Sequence, residues 1–277
     1  MRKSFLYPIF NFLLLYQFYI SAIYAFLVLV TFSIFTLSNY LNYSVFAFFA
    51  TLSAYTLQRY FKLKKGKLPD YLAQYTSVKI YLIFVASSTI LTFTMLFFLN
   101  KKDVLYLLLP VVISSLYLFI HPSKKALTGL RYIPYLKTFL VALSWVILPM
   151  IFTRAAYYEN PQRFIVYYSI LFVQVWQSCI IFDWRDRLID KGEVKTIASE
   201  TSPLAFKIIW LILSLVILIA CTITGQRLSY ALPLIGIGLI MQWIALQNDP
   251  DPLTFTYLGD GSLIFIALGN FYLFAMD

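Results

Sequence analysis

Nine long apolar runs decide what this chain can become. They lie near residues 10–36, 42–61, 79–99, 103–120, 134–153, 163–182, 204–223, 229–247 and 254–275. A run of about 18 residues or more, coiled at ~1.5 Å per residue, matches the ~30 Å hydrocarbon core of a bilayer. Hydrocarbon cannot satisfy a free N–H or C=O, so a lipid-exposed segment must bond its own backbone. The runs are continuous rather than alternating, which excludes a β-barrel and leaves helices. Composition agrees: 61% of residues are hydrophobic and 12% charged, against roughly 45–50% and 25% in soluble domains. The segments between runs are short and polar, with no interdomain linker and no internal repeat. The expectation is an all-α polytopic membrane protein, one transmembrane domain over residues 1–277 with nine transmembrane helices.

Charge sets the orientation. With the N-terminus in the cytoplasm and the spans alternating, 17 of the 22 Lys and Arg fall inside. Lys101, Lys102, Arg154, Arg163 and Arg227 fall outside. That is the positive-inside bias, and it accounts for the net charge of +10 without a nucleic-acid partner. The first run is too long for a signal peptide and no small-residue cleavage site follows, so it reads as a retained span. Cys179 and Cys221 both lie within apolar runs and read as core residues rather than a disulfide framework.

Against this background one segment stands apart. "IFDWRDRLIDKGEVKTIAS", residues 181–199, follows the sixth apolar run and crowds charge into a chain that avoids it. Asp183, Asp186 and Asp190 are spaced i, i+3, i+7, which places them on one helix face over two turns. Carboxylates held this close repel unless positive charge sits among them. A divalent cation answers that, and oxygen-only ligands suit Mg²⁺ carrying phosphate. Neighbouring Lys and Arg also answer it, as in an ordinary solvated helix end. Gln174, Gln177 and Ser178 just upstream are polar groups at membrane depth, expected to face a protein interior or a cavity.

These residues resemble the second aspartate-rich motif of the UbiA superfamily of intramembrane prenyltransferases. That motif reads D-x-x-D-x-x-x-D, then a glycine and a K-x-T-A or K-T-x-A element. Asp183, Asp186, Asp190, Gly192, Lys195, Thr196 and Ala198 fit it. The family has nine transmembrane helices with this motif on the cytoplasmic side after the sixth, the place it takes here. The resemblance implies a UbiA-like bundle in a bacterial inner membrane, motifs facing the cytoplasm. It implies Mg²⁺ on Asp183, Asp186 and Asp190, an isoprenyl diphosphate, and a hydrophobic acceptor, aromatic or lipid-like. Arg187 and Lys195 then join the diphosphate contacts. The family's loop between helices four and five carries a tyrosine followed by cations. Here Tyr117, Lys124, Lys125, Arg131 and Lys137 occupy it. Lys137 lies about a turn inside an apolar run. It either has a partner there or snorkels to the interface, since a lone lysine at depth costs about 2.5–3.5 kcal/mol.

The resemblance breaks at the family's first motif, N-D-x-x-D-x-x-x-D. Thr56, Leu57, Tyr60 and Lys64 stand where Asn and three Asp belong. Two readings follow. Arg59 and Lys62 contact the diphosphate directly, Arg59 bidentately, or they are ordinary topology charges and the chain is a non-catalytic isoprenoid- or lipid-binding relative. His121 reads as a loop residue, and Asp249 and Asp251 as turn formers beside proline. Asp260, at the start of the ninth run, is the further acidic residue placed to face the pocket.

Overall fold

This is a computed structural model, and it describes residues 17–64, 78–119, 133, 135–190, 195–224, 227–247 and 252–275. Among the described residues every regular element is an α-helix and no strand occurs. The helices are α1 Phe18–Ile34, α2 Tyr40–Lys64, α3 Val78–Leu96, α4 Lys101–Tyr106, α5 Leu108–Phe119 and α6 Leu136–Phe152. Then follow α7 Ala155–Glu159, α8 Pro161–Asp190, α9 Ile197–Glu200, α10 Pro203–Thr224, α11 Leu228–Gln247 and α12 Pro252–Phe274.

Helix occupies each of the nine apolar runs, the fourth being broken at Leu107 between α4 and α5. Among the described residues five helices are long and apolar enough to cross a membrane: α3, α8, α10, α11 and α12. Helices α1 and α6 are apolar but shorter. Local sequence explains where helices start. Asn160 Oδ1 accepts the Arg163 N–H at 2.9 Å and Pro161 follows at the first helical position, the arrangement an N-terminus favours. Thr196 and Ser199 close a reciprocal capping box before α9, and Ser202 accepts the Ala205 N–H before α10.

The chain divides into two compact units, residues 1–29 with 39–104, and 30–38 with 105–277. In the first, α2 packs along α3, with Ser53 and Thr89 hydroxyls bonded at 2.7 Å. Phe18 lies edge-on to Phe84 at 5.8 Å. Tyr43 donates to Asp103, a buried carboxylate in the first turn of α4.

The second unit is built around α8, which packs against α6, α7, α9, α10, α11 and α12. Helices α11 and α12 form the tightest pair, because small residues let their backbones close up. A Cβ on Gly238 would stand 2.9 Å from Ser262 O, and one on Gly269 2.5 Å from Ile235 Cγ1. A polar layer crosses the unit halfway along α8. Gln174 and Asn270 exchange amide bonds at 3.1 and 2.7 Å. Gln177 donates to Ser214 Oγ at 2.6 Å. Gln242 donates to Ser178 and Ser262 and accepts from the Trp210 indole. All of these are buried. At the far end from Asp183, Arg163 Nη2 donates to Ile34 O at 2.8 Å and to Phe274 O. One guanidinium thereby satisfies carbonyls at the C-termini of α1 and α12, groups that a helix cannot bond internally.

Candidate functional site

The α8 helix is 30 residues long, about 45 Å at 1.5 Å per residue, against ~30 Å of hydrocarbon. Its C-terminal turns, which carry the aspartates, therefore overshoot the apolar layer when its first turn starts at the other boundary. Asp183, Asp186 and Asp190 are all helical, so the i, i+3, i+7 register holds.

Their side chains do not share one environment. Asp183 is buried at 4% exposure. Its Oδ1 takes Lys137 Nζ at 2.7 Å, with side-chain exposures of 6% and 11%. Lys137, the second residue of α6, thus has a partner and does not snorkel. Asp186, one turn on, is half-exposed and held by its neighbour: Arg185 Nε meets Oδ1 at 2.8 Å and Nη2 meets Oδ2 at 3.3 Å. The same guanidinium reaches Thr256 Oγ1 at 3.0 Å and lies over the Phe182 and Phe255 rings. Arg185 thereby ties the end of α8 to the start of α12. The side chain of Asp190 lies outside the described residues.

Three further elements converge on the pair. Tyr135, in the left-handed conformation with φ 64°, precedes α6 and donates its N–H to Lys195 O at 3.0 Å. That bond sets the Lys-Thr-Ile-Ala element beside the N-terminus of α6, with Thr196 buried in its cap and Lys195 exposed. Helix α12 comes close at Gly259, where a Cβ would stand 3.0 Å from the Phe182 ring. The next residue, Asp260, is buried at 5%. Asp183, Asp260 and Lys137 all lie within electrostatic reach of the Cys179 thiol, one turn below Asp183.

The structure therefore gathers Asp183, Lys137 and Asp260, with Asp186 one turn above and Lys195 and Thr196 alongside. Arg187, next to Asp186, stacks its guanidinium on Trp184 at 4.0 Å and donates to Trp184 O at 2.7 Å. Arg59 is half-buried in α2 of the first unit, Thr56 is buried there and Lys64 exposed. The side chains of Lys62 and Tyr117, and the whole of Lys124, Lys125 and Arg131, lie outside the described residues.

Gln174, Gln177 and Ser178 do face the interior, as their depth requires, but as hydrogen-bonding partners between helices rather than as part of this cluster. Their partners Gln242, Asn270 and Ser262 carry the same signal in the sequence, a polar group within an apolar run. The link that Arg185 makes between α8 and α12 has no sequence signal, because it depends on where Thr256 falls in the fold.

The donor set can be tested against a hard divalent cation. Asp183, Asp186 and Asp260 bring carboxylate oxygens, with Lys137 Nζ on Asp183 and the Arg185 guanidinium on Asp186. Carboxylate oxygens fit Mg²⁺ in chemical type. Such an ion would share Asp183 with Lys137 and Asp186 with Arg185. Among the described residues no three His, Cys, Asp or Glu side chains meet at one point.

Compared with protein-family profiles, with curated proteins and with solved structures, the chain gives no match.

Proposed function

We propose that this chain is a UbiA-like integral membrane prenyltransferase, with nine spans, a cytoplasmic N-terminus and its aspartate cluster facing the cytoplasm of a bacterial inner membrane. It transfers an isoprenyl group from its diphosphate to a hydrophobic, aromatic or lipid-like acceptor. The observation that carries the reading is the buried pair Lys137–Asp183 at 2.7 Å. Each residue was singled out by a different sequence element, 46 positions apart. Burying an ion pair is costly and rarely stabilises a fold over apolar residues of the same volume. Within an apolar bundle, ionisable groups mark functional pathways.

In this reading Asp183, Asp186 and Asp190 would hold Mg²⁺, and such an ion would supply charge neutralisation for a diphosphate leaving group. The chain's own groups do the rest. Lys137 orients Asp183 and presents an ammonium at the inner edge of the site. Lys195 and the cations at 124, 125 and 131 draw the anion in from solvent, and Arg187 adds charge at the rim. The C–O bond to the diphosphate breaks with its electron pair leaving on oxygen, and the electron-rich acceptor supplies the new bond and loses a proton. Preorganised cations at the leaving group stabilise that charge separation more in a water-poor site than water does.

A second reading has its own observation. With Lys137 already on Asp183 and Thr56, Leu57, Tyr60 and Lys64 in the first-motif positions, the chain binds an isoprenoid or lipid without turning it over. Asp186→Asn in purified protein separates the two. The enzyme loses Mg²⁺-dependent consumption of prenyl diphosphate by about two orders of magnitude or more, with unfolding unchanged. A protein that binds prenyl diphosphate but consumes none, with any acceptor tried, is the binder. If no prenyl diphosphate binds in the presence of Mg²⁺, the transferase reading is wrong.

A further inference from the structure

Two charge pairs reach the aspartates of α8, and they differ in how easily they part. Lys137 and Asp183 are sealed, with side-chain exposures of 11% and 6%. Arg185 and Asp186 stand further out, at 28% and 25%, where water screens the attraction and side-chain entropy opposes it. The outer pair is therefore the one that yields to a competitor arriving from solvent. Its geometry gives that exchange a mechanical consequence. Nε and Nη2 of Arg185 take one Asp186 oxygen each, at 2.8 and 3.3 Å, and Nη1 donates to Thr256 Oγ1 at 3.0 Å. A guanidinium is one rigid plane, so its edge cannot turn from Asp186 while its far nitrogen keeps its aim on Thr256. The rings of Phe182 and Phe255 meet at 6.2 Å, and the guanidinium lies over them at 5.2 and 6.0 Å. Thr256 sits in the second turn of α12, four residues before the buried Asp260 and so on the same helix face.

We propose that Arg185 is a latch: it fastens the start of α12 to the end of α8 while it holds Asp186, and lets go when Asp186 binds a divalent cation. The proposal rests on the cation-binding reading above and adds a movement to it. A cation that shares Asp186 takes at least one of the oxygens that Arg185 holds, and like charges about 5 Å apart repel. Once the guanidinium edge turns away, the Thr256 bond goes with it. Further along, the polar layer keeps α12 in place, where Gln242 donates to Ser262 and Asn270 pairs with Gln174. The release is therefore confined to the first two turns, residues 252–259. The site is shut on its α12 side with Arg185 on Asp186, and open with a cation there. Linkage makes the coupling reciprocal, so a change that weakens the Thr256 bond strengthens cation binding. A bond that only holds two helices together gives no such effect, because Thr256 carries no charge.

The test uses full-length protein in phosphatidylcholine nanodiscs and Mn²⁺ alone, an ion that carboxylates suit as they do Mg²⁺ and whose free fraction is counted by electron paramagnetic resonance. Thr256→Val should bind Mn²⁺ about fivefold more tightly than the unsubstituted protein, the contribution of one half-exposed bond. Thr256→Ser, which keeps the hydroxyl, should match the unsubstituted protein. Arg185→Gln should tighten binding at least about tenfold, and more than Arg187→Gln, which removes the same charge two residues away. Hydrogen exchange reads the movement without any variant. Saturating Mn²⁺ should speed exchange at the amides of residues 256–259 at least about threefold in the unsubstituted protein. It should leave Thr256→Val, already released, unchanged. Unaltered affinity in Thr256→Val, equal gains in the two arginine variants, or exchange that does not quicken with Mn²⁺ overturns the latch and leaves the transferase reading standing. Mn²⁺ that binds neither the unsubstituted protein nor Arg185→Gln sinks that reading and the inference together.

Discussion

Replacing Lys137 with methionine removes the charge from a site where its partner cannot follow it into water. The pair is 2.7 Å apart with side-chain exposures of 11% and 6%. At that distance the attraction is about 6 kcal/mol for an effective dielectric constant near 20, set against the cost of having desolvated both groups. Removing one partner leaves the other carboxylate buried without its counter-charge, a loss of about 3–5 kcal/mol. Asp183→Asn should cost a similar amount from the other side. The double variant Lys137→Met with Asp183→Asn removes both charges of the pair together and should lose clearly less than either single variant. The measurement is reversible unfolding in mixed micelles, titrated with denaturing detergent, for all four proteins at one pH. A coupling energy of several kcal/mol is expected. If the single losses add within about 0.5 kcal/mol, or if either falls below ~1 kcal/mol, the two charges are not coupled and the buried pair is not what holds α6 against α8.

Other parts of the fold make separate predictions. Arg163→Ala leaves the carbonyls of Ile34 and Phe274 without their charged donor; at about 1.5–3 kcal/mol for each such bond, detergent unfolding should show a loss of at least ~2 kcal/mol. Gly269→Val drives a side chain into Ile235 at 2.5 Å and should cost about 1–3 kcal/mol, read as separation of the α11–α12 pair by crosslinking between introduced cysteines. Gln242→Leu breaks three bonds of the polar layer yet should cost only about 1–2 kcal/mol, because each such bond within a membrane contributes ~0.6 kcal/mol on average. A loss above 4 kcal/mol there would mean the layer is cooperative. Removing Mg²⁺ with EDTA should weaken prenyl diphosphate binding at least about tenfold in the unsubstituted protein and much less in Asp186→Asn, measured by calorimetry.

Much of the architecture could be read without coordinates, and the reasons are local. Among the described residues helix occupies each apolar run, because a backbone in an apolar surround has no other way to bond itself. The start of α8 is written in Asn160 and Pro161, and that of α9 in Thr196 and Ser199. The register of Asp183, Asp186 and Asp190 needed only the helical period. The site was legible in part. Lys137 is conspicuous because a lysine in an apolar run demands an explanation, and Asp260 for the same reason. Arg185 and Arg187 lie two positions apart, yet Arg187 stacks on Trp184 while Arg185 binds Asp186 and Thr256. Which partners two neighbouring arginines find is set by how α8 is rotated against its neighbours, and a linear pattern does not carry that angle.

The sequence by itself determined that this chain is helical, rich in membrane-length apolar helices, and charged in one place out of keeping with the rest. Those properties depend on composition and on the period of a single helix, and need no partner. Only the tertiary structure decided that Lys137 belongs to Asp183, that Gln174 and Gln177 bind other helices, and that Arg163 closes the ends of α1 and α12. Each of these joins segments far apart in the chain through bonds a few ångströms long. Such bonds form only after close packing, as at Gly238, Gly259 and Gly269, has fixed the helix spacing.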